Sequence, residues 1–105
     1  MKNIEIQEHA FSDLAIALFI RACADARGHV DRSDGDPLVI QRQAKEFLFG
    51  ATEEWRESKR FWLRIAGIDE TFFNEYLLPK LMSESLPVEA LQTAINEAMP
   101  PSPSA

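Results

Sequence analysis

The aspartates around Gly35 are the first side chains whose type and spacing could do chemistry. Asp31, Asp34 and Asp36 flank this glycine much as acidic residues flank the glycine of a calcium-binding loop. With Gly35 at the sixth loop position, three ligand positions hold residues without a carboxylate: Val30, Arg32 and Gln41. The segment therefore does not match the ligand positions of a calcium-binding loop, and the aspartates are expected to cap turns and to face solvent.

The chain has few residues that could act as nucleophiles or metal ligands. The only cysteine is Cys23, within an apolar segment, so no intrachain disulfide can form and a buried, unreactive thiol is expected. The only histidines, His9 and His29, lie twenty residues apart, which is not a zinc-binding spacing. The four glycines stand at expected helix boundaries, not in a phosphate-binding loop. We therefore expect no catalytic site, metal or cofactor, and the chain is not expected to be an enzyme.

Aromatic side chains are concentrated in one stretch of the chain. Eight of the ten aromatic residues lie between residues 47 and 76. They form either the core of the C-terminal half or a partly exposed patch, since aromatic residues are frequent anchors of protein interfaces. Phe49 and Phe72 fall off the expected buried stripes of their helices, and are therefore the first candidates for exposed partner-binding anchors.

Four basic residues accompany the aromatic stretch. On a helix spanning 53–66, the apolar cluster that includes Phe61 lies nearly opposite a basic stripe. This stripe consists of Arg56, Lys59, Arg60 and Arg64. Segment 71–105 has Lys80 as its only basic residue and a net charge of −3. A partner is therefore expected to contact the 49–76 region, through Phe49, Phe72 and the basic stripe.

Residues 63–77 resemble a DNA-binding helix-turn-helix, with Gly67 as the turn glycine. In that interpretation Lys59, Arg60 and Arg64 face phosphates, while Thr71 and Asn74 read base edges. Two features depart from the pattern: the position four before the glycine, usually alanine, is Leu63, and the second helix carries three carboxylates, on Asp69, Glu70 and Glu75. DNA binding is therefore the alternative interpretation.

The elements predicted to position these residues are all helices. Their approximate ranges are 12–27, 37–49, 53–66, 70–78 and 87–98. The first is apolar nearly all round, so it should be the most buried. Tyr76 is expected to point inward, and Pro79 is expected to kink or break the fourth helix, with a short helical piece following to Met82. The fold class is thus all-α: a compact bundle of about five short helices with a helix-turn-helix-like hairpin at 53–78.

Length and charge set the remaining limits. The chain has 105 residues and a net charge of −6, which indicates one small domain and disfavours nucleic acid as the partner. We expect a domain over residues 10–99, an irregular arm over 1–9 and a disordered Pro/Ser tail over 100–105. The longest apolar run is seven residues, against about 20 for a membrane span, and no leader pattern precedes it. A cytoplasmic protein without membrane contact is expected, and homo-oligomerisation stays open.

One further pattern runs through residues 40–78. A Phe-Leu pair at Phe47 precedes Trp55, Ser58 and Phe61-Trp62, and the helix then ends in Ala-Gly-Ile-Asp around Gly67. This pattern resembles small uncharacterised proteins of bacteriophages and prophages. The resemblance implies a bacterial cytoplasm and, by analogy, stoichiometric binding of another protein. The predicted function is a non-catalytic adaptor or inhibitor that binds a protein; the alternative is a helix-turn-helix DNA-binding regulator.

Overall fold

Local caps set the ends of the central helices. The computed structural model describes the backbone of residues 2–99 and the side chains of residues 11–99. Asp36 accepts a hydrogen bond from the amide of Leu38, and the Thr52 hydroxyl accepts one from the amide of Trp55. Gly50 and Gly67 end their helices with φ of 61° and 75°, a left-handed conformation that glycine adopts without steric cost. These four predicted helix boundaries are confirmed.

The described chain forms five helical rods and contains no strand between residues 2 and 99. The first, second and third rods are α1 (Lys2–Ala26), α2 (Pro37–Phe49) and α3 (Glu53–Ala66). The fourth joins α4 (Glu70–Phe72), a π-helical turn (Phe73–Leu77) and α5 (Leu78–Leu81); the fifth is α6 (Leu91–Ala98). Short 3₁₀ turns, Arg32–Asp34 and Val88–Ala90, precede α2 and α6. The all-α bundle predicted from the sequence is confirmed.

Helix α1 is longer than the sequence predicted. It begins at Lys2, so the irregular arm expected over residues 1–9 is helical from residue 2. Ser12, the first residue of the range predicted for this helix, lies inside it. The physical reason is that no proline or glycine interrupts residues 2–26, while Ser12 costs a helix interior only a fraction of a kcal/mol. The predicted tail at 100–105 lies outside the described residues.

Proline 79 distorts its helix without breaking it. Pro79 has no amide to donate, and its ring would clash with the carbonyl four residues earlier in a regular helix. The π-helical turn directly before α5 widens the backbone at this point, and the helix then continues to Leu81. Of the two predicted outcomes, a kink or a break, the break does not occur; the distortion is a π-helical turn, and the helical piece predicted to follow ends at Leu81.

Three aromatic rings hold the bundle together. Phe19 of α1 is fully buried, with its ring centroid 5.4 Å from Phe47 of α2 and 5.1 Å from Phe73 of the π-helical turn. Burying a side chain of this size contributes about 1.5–3 kcal/mol. Leu91 and Ile95 of α6 are also fully buried.

The outer side of α1 does not follow the prediction. Phe11 and Leu14 are more than half exposed, although the apolar composition of the helix predicted burial on every face. The bundle has too few rods to surround α1, so only the face carrying residues such as Phe19 and Cys23 is fully covered.

Candidate functional site

A groove opens between the end of α2, the middle of α3 and the fourth rod. Its volume is about 440 Å³. Six residues from these elements line it: Phe49, Lys59, Asn74, Leu78, Pro79 and Met82. We call it the Phe49 groove. It is built on helices, so its shape is set by the packing of the bundle.

Phe49 supplies the exposed wall of the groove. It is the last residue of α2 and is 59% exposed, as the sequence predicted for a partner-binding anchor. Gly50 follows at once in the left-handed conformation, and a Cβ there would lie 2.6 Å from Cγ of Arg56. The close approach of Arg56 to this turn therefore depends on glycine.

Lys59 contributes a cation that is nearly buried. Only 5% of the residue is exposed, its ammonium donates to Oδ1 of Asn74, and Nζ lies 5.2 Å from the centroid of the Phe73 ring. Burial lowers the pKa of Lys59, because desolvation disfavours the charged form, and Glu70 opposes this shift. The hydrogen bond and the aromatic face compensate part of the cost of burying this charge.

The basic stripe predicted on α3 is not one surface. Lys59 points into the structure, which corrects its assignment as an exposed cation. Arg60 is exposed but pairs with Glu70, at 2.9 Å between Nε and Oε2. Arg56 and Arg64 are exposed. Lys59, Leu63 and Ala66 are spaced at i, i+4 and i+7 and are the buried residues of α3, so Lys59 belongs to the covered face of the helix and its place in the stripe was predicted wrongly.

Phe72 lies away from the Phe49 groove. It is half-buried and stacks on Tyr76 with ring centroids 5.9 Å apart, lining a separate cavity of about 260 Å³ with Ile68 and Met99. Besides Phe49, two other aromatic residues are strongly exposed: Tyr76 at 68% and Phe61 at 54%. Tyr76 had been predicted to point inward, and that prediction is wrong; Phe61 had been assigned to the apolar cluster of the 53–66 helix and is also exposed.

The residues assigned to DNA contacts in the helix-turn-helix alternative differ in exposure and in hydrogen-bond partners. Thr71 and Asn74 are exposed, but Oδ1 of Asn74 accepts from Lys59. Of the three cations assigned to phosphates, Lys59 is buried, Arg60 is paired with Glu70 and Arg64 is exposed. The regular α-helix after Gly67 is only three residues long before the π-helical turn begins.

The sequence interpretation missed three residues that line the groove: Leu78, Pro79 and Met82. Pro79 was a sequence signal for a groove at this place, because a proline inside a helical pattern distorts the helix locally and can leave a groove beside it. The contribution of Leu78 and Met82 depends on how the fourth rod sits against α2 and α3.

A second groove runs between α1 and α2, with a volume of about 500 Å³. We call it the α1–α2 groove. Its apolar lining includes Leu14, Leu18 and Ile40. The charged residues that line it, Arg21 and Asp25, are joined at 3.1 Å, and Arg21 also pairs with Asp34.

The remaining candidates for chemistry are accounted for by their contacts. Asp31 accepts from the amide and hydroxyl of Ser33, which lowers the Asp31 pKa, so this aspartate caps a turn as predicted. Cys23 is fully buried, also as predicted, and desolvation raises its pKa to about 12.

Among the side chains that the structure describes, no cluster of three His, Cys, Asp or Glu residues is arranged to hold a metal. No helix in the described part of the chain has the length and apolar character needed to cross a membrane.

Comparison with known proteins adds no relative. No protein-family model, curated protein or solved structure matches this chain. The candidate site therefore stands on its geometry.

Proposed function

We propose that this chain is a non-catalytic protein-binding domain, an adaptor or inhibitor, and that the Phe49 groove is its contact surface. The observation that carries the proposal is a phenylalanine 59% exposed at the rim of an apolar groove. Interface hot spots combine exposed aromatic anchors with preformed pockets, because burying them on binding removes apolar area from water at low entropic cost.

The neighbouring residues support the same function. Arg56 is exposed and packs against Gly50, the residue that follows Phe49, and arginine is enriched in interfaces. Exposed Tyr76 lies on the same rod as the groove residues Leu78 and Pro79. A bacterial cytoplasm and a phage-type role belong to the proposal through the sequence resemblance alone.

The test is affinity capture from a bacterial lysate with matched phenylalanine variants. Phe49→Ser should lose the captured partner by at least about tenfold, since one hot-spot side chain is worth about 2 kcal/mol or more. Phe61→Ser is the control, because Phe61 is comparably exposed but does not line the groove. Both variants are checked for folding by circular dichroism. Retention of every partner by folded Phe49→Ser would contradict the proposal.

The DNA-binding alternative is tested in the same experiment by nuclease treatment. A regulator would lose its captured material when DNA is digested, whereas a protein-binding domain keeps it. The pairing of Arg60 with Glu70 and the three-residue length of the regular α-helix after Gly67 support the protein-binding proposal over this alternative.

A further inference from the structure

The ammonium group of Lys59 in the Phe49 groove has no carboxylate close to it among the described residues. An ammonium group carries three N–H donors. Within residues 11–99, no carboxylate lies within 4.0 Å of Lys59; its hydrogen-bond acceptor there is the neutral Oδ1 of Asn74. The carboxylate that influences it from further away, on Glu70, is bonded to Arg60. A positive charge is therefore held at an apolar groove with hydrogen-bonding capacity to spare.

Asn74 adds donors at the same place. Because its Oδ1 accepts from Lys59, its amide NH₂ group is oriented away from the ammonium and can donate two further hydrogen bonds. Lys59 and Asn74 both line the groove, and their neighbours in the lining are the apolar residues Leu78, Pro79 and Met82. The groove therefore combines donors for an anion with a surface for an apolar group.

We infer that the Phe49 groove binds a partner segment in which an apolar side chain lies next to an aspartate or glutamate, whose carboxylate is received by Lys59 and Asn74. This inference rests on the proposed function and names the chemistry of the partner. The apolar side chain packs against Phe49 and Met82. A carboxylate there supplies the anion that Lys59 lacks, in surroundings where water screens the attraction weakly.

Other anions fit the groove less well. Phosphate groups are recognised by clusters of arginines or by free amides at helix N-termini, and this groove has one cation among mostly apolar side chains. A chain-terminal carboxylate is captured by free backbone amides in loops, whereas this lining comes from helical segments, apart from Met82 at the end of α5. A side-chain carboxylate needs only the two side-chain donors that are present.

The first experiment measures peptide binding to the full chain by ¹H–¹⁵N correlation spectra. Three tetrapeptides are compared: one capped at both ends with phenylalanine next to glutamate, its match with glutamine for glutamate, and one ending in phenylalanine with a free carboxylate. The glutamate peptide should bind about tenfold more tightly than the glutamine peptide, as expected for a charge-assisted hydrogen bond. It should also shift the amides of Phe49 and Asn74. Equal affinities, or tightest binding of the free-carboxylate peptide, would overturn the inference.

The second experiment removes the charge. Lys59→Met keeps the length of the side chain and should reduce the preference for glutamate over glutamine to about onefold. Lys80→Met, at an exposed lysine of α5 outside the groove lining, should leave the preference unchanged. Asn74→Ala removes the acceptor of Lys59, so its folding is first checked by circular dichroism; the folded variant should reduce the preference to below about threefold. A preference that survives in both Lys59→Met and Asn74→Ala would overturn the inference.

The two proposals fail in different ways. If Phe49→Ser loses the captured protein while the two capped peptides bind equally, the protein-binding function stands and the carboxylate inference is wrong. If the glutamate preference holds while Phe49→Ser keeps every captured protein, the carboxylate site stands and the protein-binding function is wrong.

Discussion

The two grooves of the molecule are alike in size and differ in how their charges are satisfied. In the α1–α2 groove, Arg21 and Asp25 neutralise one another at 3.1 Å, and Asp34 adds a second carboxylate to the same guanidinium. In the Phe49 groove, Lys59 is nearly buried and its described partners are an amide oxygen and an aromatic ring. Both have apolar walls, at about 500 and 440 Å³.

This difference shows that apolar area alone does not mark a specific binding surface. A groove whose charges are already paired attracts apolar groups without selecting among them. A groove with one poorly compensated cation distinguishes partners by charge, because the wrong partner leaves that cation desolvated and unpaired. Under the proposed function, we therefore expect the Phe49 groove to be the more selective of the two.

The largest expected difference in stability is between Phe73, buried beside the Phe49 groove, and Leu14, which lines the α1–α2 groove. Phe73 is fully buried below Lys59 and against Phe19, so Phe73→Ala should lower the free energy of unfolding by about 3–5 kcal/mol. Leu14→Ala at the α1–α2 groove should cost less than about 1 kcal/mol, because Leu14 is 55% exposed. Urea denaturation measures both. Similar losses would show that the outer side of α1 is as tightly packed as the core.

The next prediction uses the thiol on the covered face of α1. The pKa of Cys23 rises from 9.0 to about 12 on folding, so above pH 9 the unfolded chain releases a proton that the folded chain keeps. Stability contributed by the neutral thiol is therefore fully present below pH 9 and is lost as the pH rises towards 12, by about 1.4 kcal/mol per unit.

Cys23→Ala removes this dependence and leaves the other titrating groups in place. The stability of wild type relative to Cys23→Ala should fall by about 2 kcal/mol between pH 8 and pH 10.5. Guanidinium denaturation at the two pH values measures it. Parallel pH profiles for the two proteins would show that water reaches the thiol in the folded state.

The smallest expected effects have opposite signs in the two grooves. Lys59→Met should raise the free energy of unfolding at pH 7 by about 1 kcal/mol, because it replaces a desolvated charge with an apolar chain of similar length. Arg21→Met should lower it by about 1–2 kcal/mol, because the mostly buried carboxylate of Asp25 loses its partner. Equal signs would contradict the distinction between paired and poorly compensated charges.

The pH dependence sharpens the Lys59 result. Folding lowers the pKa of Lys59 below its ordinary 10.5, so the cost of burying its charge shrinks as the pH rises towards 10.5 and the ammonium loses its proton in the folded state first. The advantage of Lys59→Met should therefore shrink over that range. Lys80→Met, at an exposed lysine, should stay within about 0.5 kcal/mol of wild type at each pH.

Part of the candidate site could be predicted from the sequence. Phe49 was identified because it falls off the apolar stripe of α2, and it is exposed in the fold. The groove itself could not be predicted, since Lys59 of α3 and Asn74 of the fourth rod are fifteen residues apart and meet only when those two elements pack. The start of α1 was missed because residues 2–12 carry no strong boundary signal beyond Ser12, which the helix passes through.

The sequence by itself determined the all-α class and the ends of the central helices. Asp36, Thr52, Gly50 and Gly67 act within a few residues through cap hydrogen bonds and backbone conformation, so they need no distant partner. Tertiary structure decided which faces are covered. The fourth rod packs over Lys59, and its π-helical turn brings Leu77 under cover while Tyr76, one residue earlier, faces solvent. Burial depends on the positions of neighbouring helices and on register shifts, and both arise only when the helices pack together.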